Sequence, residues 1–455
     1  MREIRLHDTL SGELKALEPR EPGRVGIYAC GPTVYARVHV GNARPFVIFA
    51  LLKRFLEHEG LEVTLVENVT DVNDKIYDAA REAGVASSDL AADMTSRYVE
   101  DTDRLGLGRP DHEPKAVETM VPIVALIGSL IDSGHAYVAG GDVYFRVSSF
   151  PSYGTLSNLP SAEMEQGEGD DRADQKESRR DFALWKARKE GEDTAWPAPW
   201  GEGRPGWHIE CSAMAEQILG TDFEIHGGGS DLVFPHHENE IAQSEAGRDT
   251  RLARIWMHNG MVRTGAEKMA KSGGNIFLLH QALDEHGRDA LVTYLAGGHY
   301  RQPIAFSAAA LAEAGRSASR IRELCRRLDP GAPDPEGLEA YTERFFSALA
   351  EDFNTPAARA VLFDWVGEAN RRLESGAAVG RGQLHAMLYA LGLEGLLEPE
   401  EEGPDAEVRR RFDERERARE ARDFATSDRL RDELSALGWE VRDTPEGARL
   451  VRRSP

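Results

Sequence analysis

The feature that most constrains the fold is a strand–helix–strand pattern near the start of the chain. Residues 24–29 (RVGIYA) are typical of a short buried strand, and residues 62–66 (EVTLV) of a second one. Between them the spacing of apolar residues indicates a helix, which we expect to begin at Pro45 and to end before Gly60. Two strands joined in this way are typical of a βαβ unit, so the pattern predicts an α/β fold with a parallel sheet.

Beyond this unit the sequence pattern changes several times. Residues 110–200 are less regular, and residues 163–180 are charged and contain glycine, as expected for a loop. Strand and helix signals return in residues 207–258, which is what an insertion within an open α/β sheet would produce. In residues 307–397 apolar side chains recur at helical spacing, and an acidic linker follows in residues 398–404.

The charge balance narrows the class of partner. The chain has 78 acidic against 55 basic side chains, a net charge of −23, which argues against a protein that binds bulk polyanions. Residues 405–455 differ, because they hold 13 arginines and 13 acidic residues and are neutral. Arginine suits contacts with phosphates and base edges, but ion pairs along a solvated helix explain the same composition.

Cysteine content and hydropathy indicate the compartment. The 455 residues contain only three cysteines, Cys30, Cys211 and Cys325, so a disulfide scaffold is excluded and a reducing environment is expected. The longest apolar stretch that is nearly free of charge, residues 121–131, is shorter than the roughly 20 residues that span a bilayer. The first residues do not resemble a signal peptide. We therefore expect a cytoplasmic protein with no membrane segment.

The segment that follows the first strand is the first candidate site. Residues 30–45 (CGPTVYARVHVGNARP) connect the carboxyl end of a strand to a helix, where α/β proteins bind ligands. The N terminus of a helix attracts phosphate, and His39 and Asn42 lie just before it as hydrogen-bond donors. Taken alone, the sequence HVGN is more typical of a tight turn with a structural histidine.

A glycine-rich segment is the second candidate site. Residues 227–240 (GGGSDLVFPHHENE) begin with three glycines, which would allow a ligand to approach the main chain closely. Asp231 is a candidate to bind ribose hydroxyls, as acidic residues do in nucleotide sites. Pro235 is expected to begin a helix.

The same segment contains candidate metal ligands. On a helix, Glu240 shares a face with His236 at spacing i,i+4 and with His237 at i,i+3, so spacing alone does not choose between the histidines. Zinc takes Cys, His and carboxylate ligands, which makes Cys30 and Cys211 candidate partners. The sequence contains no CxxC or HExxH motif. Two free buried cysteines beside a surface His/Glu pair therefore remain the alternative.

A lysine pair marks the third candidate site. Residues 267–275 (EKMAKSGGN) place Lys268 and Lys271 three positions apart, before two glycines. Such a segment suits a flexible loop that brings ammonium charge onto a polyphosphate. A solvated basic loop with no ligand explains the same residues equally well.

Together, and in this order, the three segments resemble the class I aminoacyl-tRNA synthetases. The two signatures of that class, HIGH and KMSKS, correspond to residues 39–42 (HVGN) and 268–272 (KMAKS). Within the class, the chain resembles the cysteinyl-tRNA synthetase family. The strings that carry this resemblance are CGPTVY at 30–35, GWHIECSAM at 206–214, FPHHENE at 234–240, DFNTP at 352–356, and RDFA to TPEG between 422 and 447.

The resemblance implies roles for individual residues. For zinc it implies the ligands Cys30, Cys211, His236 and Glu240, and so selects His236 over His237. For the cysteine pocket it implies Gly31, Thr70 and Trp207. For ATP it implies Thr33, His39, Asn42, Asp231 and Lys271. For catalysis it implies His39, Asn42, Lys268 and Lys271.

The resemblance also implies an architecture. The expected parts are a Rossmann-like catalytic domain in 1–112 and 200–250, an inserted connective or acceptor-end domain in 113–199, a stem-contact region in 251–313, a tRNA-binding helical bundle in 314–404, and an anticodon-binding module in 405–455.

The activity implied by the resemblance is ligation of L-cysteine to tRNA(Cys) with ATP, by a monomer that uses one Zn²⁺ and takes Mg²⁺ with ATP. A hydrophobic pocket rejects a hydroxyl isostere by only about a hundredfold, whereas zinc binds thiolate strongly and would exclude serine. We therefore expect no editing domain.

The chain departs from the family pattern at two positions. Ala270 replaces a serine of the second signature, and Asn73 stands where a second aspartate is expected.

The alternatives are a related ligase that joins cysteine to an amino sugar, and a non-catalytic tRNA-binding paralogue. The former lacks a C-terminal module such as 405–455, and the intact signature residues argue against the latter.

Overall fold

The computed structural model describes most of the chain, in two compact units, Met1–Leu397 and Glu398–Pro455. The described residues are 2–159, 164, 173–246, 248, 250–264, 267–268, 277–398, 406–444 and 447–452. Half of the loop expected at 163–180, namely 163 and 165–172, therefore lies outside them. No helix in these ranges is long and apolar enough to cross a membrane.

The first unit contains thirteen described strands and twelve described α-helices. The strands are β1 (Arg5–Asp8), β2 (Glu13–Ala16), β3 (Arg24–Ala29), β4 (Glu62–Glu67), β5 (Ala136–Ala139), β6 (Asp142–Phe145), β7 (Phe182–Ala187), β8 (Gly203–Pro205), β9 (Phe223–Gly229), β10 (Ala253–Asn259), β11 (Val262–Thr264), β12 (Glu267–Lys268) and β13 (Ile304–Ala305). The helices are α1 (Val40–His58), α2 (Asp74–Ala83), α3 (Ser87–Asp103), α4 (Met120–Asp132), α5 (Trp207–Leu219), α6 (Glu238–Glu245), α7 (Leu279–His286), α8 (Arg288–Leu295), α9 (Ala308–Cys325), α10 (Glu339–Ala350), α11 (Thr355–Glu374) and α12 (Gly382–Ala390).

A parallel sheet of four strands, in the order β10-β9-β3-β4, forms the centre of the first unit. Strand β3 pairs with β4 over its whole length, from Arg24↔Glu62 to Ala29↔Glu67, and with β9 from Ile27↔Ile225 to Ala29↔Gly227. The expected α/β fold with a parallel sheet is confirmed. Because all four strands run the same way, their carboxyl ends lie along one edge.

Helix α1 begins earlier than the sequence suggested. We expected Pro45 to open the helix, but it begins at Val40 and Pro45 lies inside its second turn. The reason is that His39 is the N-cap residue, so the first turn of the helix begins at Val40. Pro45 has no N–H to donate to the carbonyl oxygen of Gly41, four residues earlier, so the helix lacks one main-chain hydrogen bond at this point. Helix α1 then crosses beneath the sheet with Phe49, Leu52 and Phe55 buried.

Between β4 and β9 the chain forms a second, antiparallel sheet, in the order β5-β6-β7-β8. Its core packs the apolar face of α4 against Phe145, Phe182 and Trp185, all fully buried. Residues 207–258 then return to the parallel sheet as α5, β9, α6 and β10. The interruption of an open sheet by an insertion, inferred from the sequence, is therefore present.

Helices α9 to α12 form the C-terminal part of the first unit. Trp365 of α11 is fully buried, and its indole N–H donates to Gln383 at 3.0 Å. Their apolar faces join the same hydrophobic core as α1 and the parallel sheet. The helical content expected for residues 307–397 is confirmed.

The second unit, Glu398–Pro455, is small. Its elements are α13 (Ala406–Glu420), α14 (Phe424–Ala436), β14 (Trp439–Thr444) and β15 (Gly447–Arg452). Asp423 caps α14 by accepting a hydrogen bond from the N–H of Thr426 at 3.1 Å. The two strands form an antiparallel hairpin, so the unit is a helical pair followed by a β-hairpin.

Close strand packing predicts the effect of Gly227→Ala. A Cβ atom there would lie 2.1 Å from the carbonyl oxygen of Met257 and 2.5 Å from Cζ of Phe49. We expect the free energy of unfolding to fall by about 1–3 kcal/mol or more, because the core must shift. The matched control is Gly128→Ala in α4, where a Cβ atom meets nothing within 4 Å and the change should stabilise the helix by about 0.5–1 kcal/mol. Urea denaturation of both variants checks this, and equal effects would contradict it.

Candidate active site

A cavity of about 630 Å³ opens at the carboxyl-end edge of the parallel sheet. It is lined by residues that follow β3, by the start of α1, by the end of β4, and by the ends of β9 and β10. Of the residues expected at the site from the sequence, the cavity wall contains Cys30, Gly31, Thr33, His39, Asn42, Trp207 and Asp231. Three separate sequence segments therefore meet at one cavity.

Helix α1 presents its N terminus to this cavity through a reciprocal cap. The ring nitrogen Nδ1 of His39 accepts a hydrogen bond from the N–H of Asn42, and Oδ1 of Asn42 accepts one from the N–H of His39, each at 3.2 Å. This is the geometry of a capping box. A Cβ atom on Gly41 would lie 2.9 Å from the His39 ring. The spacing of His, Gly and Asn thus has a direct structural cause.

A cluster of metal-ligating side chains borders the cavity. Ligand atoms of Cys30, His236, His237 and Glu240 all lie within 4.8 Å of one another. The two histidines and Glu240 are buried, and Cys30 is partly buried. The Cys30 sulfur is 3.5 Å from Nε2 of His236 and 3.5 Å from Oε1 of Glu240. Cys211, expected from the sequence as a ligand, is 1% exposed and is not one of these four residues, although it lies close enough to Cys30 to help raise the pKa of that thiol.

Both histidines of the pair face the cluster. Nε2 of His236 is 3.1 Å from Oε1 of Glu240, whereas Nε2 of His237 is 3.9 Å from the same oxygen and 3.4 Å from the Cys30 sulfur. Pro235 was expected to begin a helix, but it lies within a wide helical turn, Val233–His237, and α6 begins only at Glu238. This turn is what directs two consecutive histidines towards one point.

A second layer of histidines holds the ligand side chains. Nδ1 of His208 lies 2.9 Å from Nδ1 of His236, and Nε2 of His226 lies 2.8 Å from Oε2 of Glu240. Such outer partners fix the orientation of metal ligands. Sequence reasoning assigned no role to either histidine. His208 stands inside the string GWHIECSAM, three positions before Cys211, and that position was the available signal.

The electrostatics of the cluster suit a cation. Burial raises the pKa of the Cys30 thiol well above its ordinary value. A hydrogen bond with Cys30 lowers the pKa of Cys211, but burial and nearby carboxylates outweigh it and the pKa is raised. Burial would also raise the pKa of Glu240, yet the imidazoles of His226 and His236 hold it below the usual range.

These groups fit zinc by the chemistry of their donors. The four gathered donors are one sulfur, two imidazole nitrogens and one carboxylate oxygen, and each is a type of ligand that Zn²⁺ takes. Because the thiol pKa values are raised, a metal that binds here must displace thiol protons, and its affinity should rise with pH. The ring of Trp207 stacks on His236 with centroids 4.3 Å apart, which shields one side of the cluster from water.

The nucleotide side of the cavity departs from the sequence interpretation in one respect. Of the three glycines, only Gly229 lines the cavity, and a Cβ atom there would lie 2.4 Å from Oδ1 of Asp231. Gly227 packs against β10, and a Cβ atom on Gly228 would lie 2.8 Å from Leu232. Packing against the main chain of β10 therefore requires glycine at 227, whereas a Cβ atom at 228 or 229 would meet only the end of a neighbouring side chain.

Not every expected site residue borders the cavity. Thr70 is buried beside Thr33, with which it forms a parallel bridge, and Nδ2 of Asn68 donates to its hydroxyl at 3.2 Å. The main chain of Lys268 belongs to β12, where it pairs with Arg263, but its side chain lies outside what the structure describes. Lys271 and the departure at 270 also lie outside the described residues. Asn73, the other departure, caps α2 by accepting from the N–H of Lys75 at 3.1 Å.

A buried carboxylate that the sequence did not single out also lines the cavity. Glu67, the last residue of β4, is 5% exposed, and its Oε1 accepts a hydrogen bond from Tyr98 at 2.8 Å. Its Oε2 has no hydrogen-bond partner among the described residues. Burial raises the pKa of Glu67 to about 7.

Comparison with known proteins identifies the class to which this fold and site belong. The family described as the tRNA synthetases class I (C) catalytic domain matches residues 16–316, and the DALR domain matches residues 344–395. The chain also shares the fold of the Mycobacterium tuberculosis methionyl-tRNA synthetase in complex with methionyl-adenylate, with a TM-score of 0.60 and 14% identity over 82% of this chain and 89% of that one. The protein is a class I aminoacyl-tRNA synthetase.

Closer relatives define the branch. The cysteine–tRNA ligase of Halorhodospira halophila is 46% identical over 99% of both chains, and that of Symbiobacterium thermophilum is 43% identical over 99% of both. The chain belongs to the cysteine–tRNA ligase family. The resemblance inferred from the sequence is confirmed, and the amino-sugar ligase and the non-catalytic paralogue are not supported.

The raised pKa of Glu67 predicts a pH-dependent stability. Between about pH 4.5 and 7 the unfolded chain loses this proton while the folded protein keeps it, so the free energy of unfolding falls as pH rises through that window. Between pH 4.5 and 8 the free energy of unfolding of the wild type should fall by about 3 kcal/mol at most, relative to that of Glu67→Gln.

Urea denaturation of wild type and variant at both pH values checks this prediction. The exposed Glu82, on α2, gives the control variant Glu82→Gln, which should show no such pH-dependent difference. A difference between wild type and Glu67→Gln that is the same at both pH values would show that Glu67 does not hold its proton in the folded state.

Proposed function

We propose that this chain ligates L-cysteine to the 3′ end of tRNA(Cys), with Zn²⁺ selecting the amino acid by its thiolate. The observation that carries the proposal is the buried Cys/His/Glu cluster at one end of a cavity whose other wall is the capped N terminus of α1. A thiol-selective metal site and a phosphate-attracting helix end are the two elements that activation of cysteine by ATP requires.

The proposed zinc ligands are Cys30, Cys211, His236 and Glu240. When bound, the ion would supply a Lewis-acid site that accepts the substrate thiolate and that serine fills poorly. His208 and His226 orient two of the ligands through the hydrogen bonds described above. Gly31, Thr70 and Trp207 are the proposed residues of the cysteine pocket.

The first step joins the cysteine carboxylate to the α-phosphate of ATP and releases pyrophosphate. The proposed ATP contacts are Thr33, His39, Asn42, Asp231 and Lys271, and Mg²⁺ accompanies the nucleotide. The N terminus of α1 lines the cavity, so the positive end of its helix dipole and the His39 and Asn42 side chains can stabilise charge that develops on the phosphates. Lys268 and Lys271 are the proposed cations of the second signature.

In the second step the terminal ribose hydroxyl of tRNA(Cys) takes the cysteinyl group and AMP leaves. The proposed domain roles are those expected from the family: acceptor-end contacts by 113–199, stem contacts by 251–313, further tRNA contacts by the helical bundle in 314–404, and anticodon contacts by 405–455. Arginine side chains of the last segment suit stacking with unpaired bases. We further propose that the enzyme acts as a monomer in the cytoplasm.

Replacing a zinc ligand tests the metal assignment. Cys211→Ala, or removal of zinc by a chelator, should lower cysteine-dependent pyrophosphate exchange by more than about a hundredfold, which is the discrimination that pocket shape alone provides. Cys325→Ala is the matched control, since Cys325 ends α9 in the helical region and should leave both exchange and zinc content unchanged. The readouts are exchange rate and zinc per chain. Unchanged exchange in a zinc-free Cys211→Ala protein would remove zinc from the proposal.

Deleting residues 405–455 separates the two steps. The deletion should weaken aminoacylation of tRNA(Cys), because the arginine-rich unit contributes to tRNA affinity, while adenylate formation is spared. Parallel assays of tRNA charging and of pyrophosphate exchange on the full chain and the truncated chain check this. Equal loss in both assays would indicate that the segment serves stability instead.

A further inference from the structure

We propose that Arg44 is a positioning residue for catalysis, which holds Gly260 and the segment 299–302 against the signature helix α1. The proposal rests on the proposed function, since adenylate formation is the reaction it affects. Arg44 follows Asn42 by two residues and is fully buried. Its Nη1 donates to the carbonyl oxygens of Gly260 and of Gln302, at 2.5 and 2.6 Å, and its Nη2 donates to that of His299 at 3.0 Å.

Gly260 is the point at which this clamp reaches the active site. It lines the cavity directly after the end of β10. Its carbonyl oxygen accepts from Arg44, and its N–H donates to the carbonyl oxygen of Tyr300 at 2.8 Å. A Cβ atom on Gly260 would lie 2.3 Å from the carbonyl carbon of Gln302, so the two segments are in close contact. The Gly260 peptide is therefore fixed on both sides.

The strand after Gly260 leads to the second signature. Strand β11 pairs with β13 through Val262↔Ile304, and with β12 through Arg263↔Lys268. Arg44 therefore links α1, whose N terminus carries the first signature, to the segment that leads through β11 to Lys268. A displacement of β11 relative to α1 would move the two signatures apart.

The segment 299–302 is anchored on its far side by Asp352. Its carboxylate accepts hydrogen bonds from the Tyr300 hydroxyl at 2.8 Å, from Nε of Arg301 at 2.8 Å, and from the N–H of His7 at 2.9 Å. Asp352 has a φ of +56° and is 5% exposed, so several contacts maintain a main-chain conformation that is unfavourable for a non-glycine residue. Arg44 then links this fixed segment to α1.

A structural role alone explains Arg44 poorly. Burying a guanidinium group is costly, and apolar side chains of similar volume often stabilise a core as well or better. Arg44 forms no ion pair with a carboxylate among the described residues, and its Nε has no hydrogen-bond partner there. Burial lowers its pKa to about 10, which leaves it charged at neutral pH. Three donors aimed at three carbonyls provide geometry that an apolar residue does not.

The chain offers a matched control on the same helix. Arg54 of α1 is also buried, at 9% exposed, and it too bridges separate segments. It donates to the carbonyl oxygens of Tyr389 and Gly106 at 3.2 and 3.3 Å, and to Glu394 at 2.7 Å. It does not line the active-site cavity. Arg54→Met therefore removes comparable contacts from the same helix without touching Gly260.

The experiment compares Arg44→Met, Arg44→Lys and Arg54→Met in the full chain. Pyrophosphate exchange gives kcat and the KM for cysteine, and thermal unfolding confirms that each variant is folded at the assay temperature. We expect Arg44→Met to lower kcat by about a hundredfold, the effect of roughly 1 Å of misplacement, with the KM for cysteine little changed because the thiol site is intact. Arg44→Lys should recover part of the kcat, and Arg54→Met should lower the melting temperature but not kcat.

Each outcome decides the proposal. It is overturned if Arg44→Met keeps the wild-type kcat, or if Arg44→Met and Arg54→Met lower kcat equally while both remain folded. Should Arg44→Met not fold, Arg44→Lys decides, since a folded lysine variant with wild-type kcat also overturns it. Failure of the wild type itself to exchange pyrophosphate with cysteine would be a separate result, which rejects the proposed function and this inference with it.

Discussion

The pairing of β3 with both β4 and β9 is the constraint on which the rest of the structure depends. Because the three strands are parallel and in register, Cys30 after β3, Glu67 at the end of β4 and Gly229 at the end of β9 reach the same edge. The N–H of Cys30 also donates to the carbonyl oxygen of Gly227 at 2.9 Å, which ties the first candidate metal ligand to the neighbouring strand. The cavity and its ligands follow from this alignment.

The site concentrates polar groups in a place that would otherwise be core. His208, His226 and Glu240 are fully buried, and each would be costly there without a partner. Hydrogen bonds between successive groups offset that cost and at the same time fix the ligand geometry. Arg44 is a second case, because main-chain carbonyls from two segments distant in sequence accept hydrogen bonds from its buried guanidinium group.

The elements predicted from the sequence were those with a strong local signal. Strand β3 occupies the expected residues 24–29, since an uninterrupted apolar run bounded by charged and polar residues leaves little choice. The start of α1 was placed five residues late, because proline suggested a first turn while the actual start is a cap in which histidine substitutes for the usual serine or aspartate. Pro235 was likewise expected to begin a helix, but it lies in the wide turn that precedes α6, and the helix begins three residues later at Glu238.

The sequence by itself determined the fold class, the family, and seven of the residues that line the cavity, because motif strings and strand periodicity are local properties of the chain. Only the tertiary structure decided what surrounds them. The contact between His208 and His236 joins residues 28 positions apart, and the carbonyl partners of Arg44 lie more than 200 positions from it. Such contacts depend on strand order and helix packing, which no spacing in the sequence records.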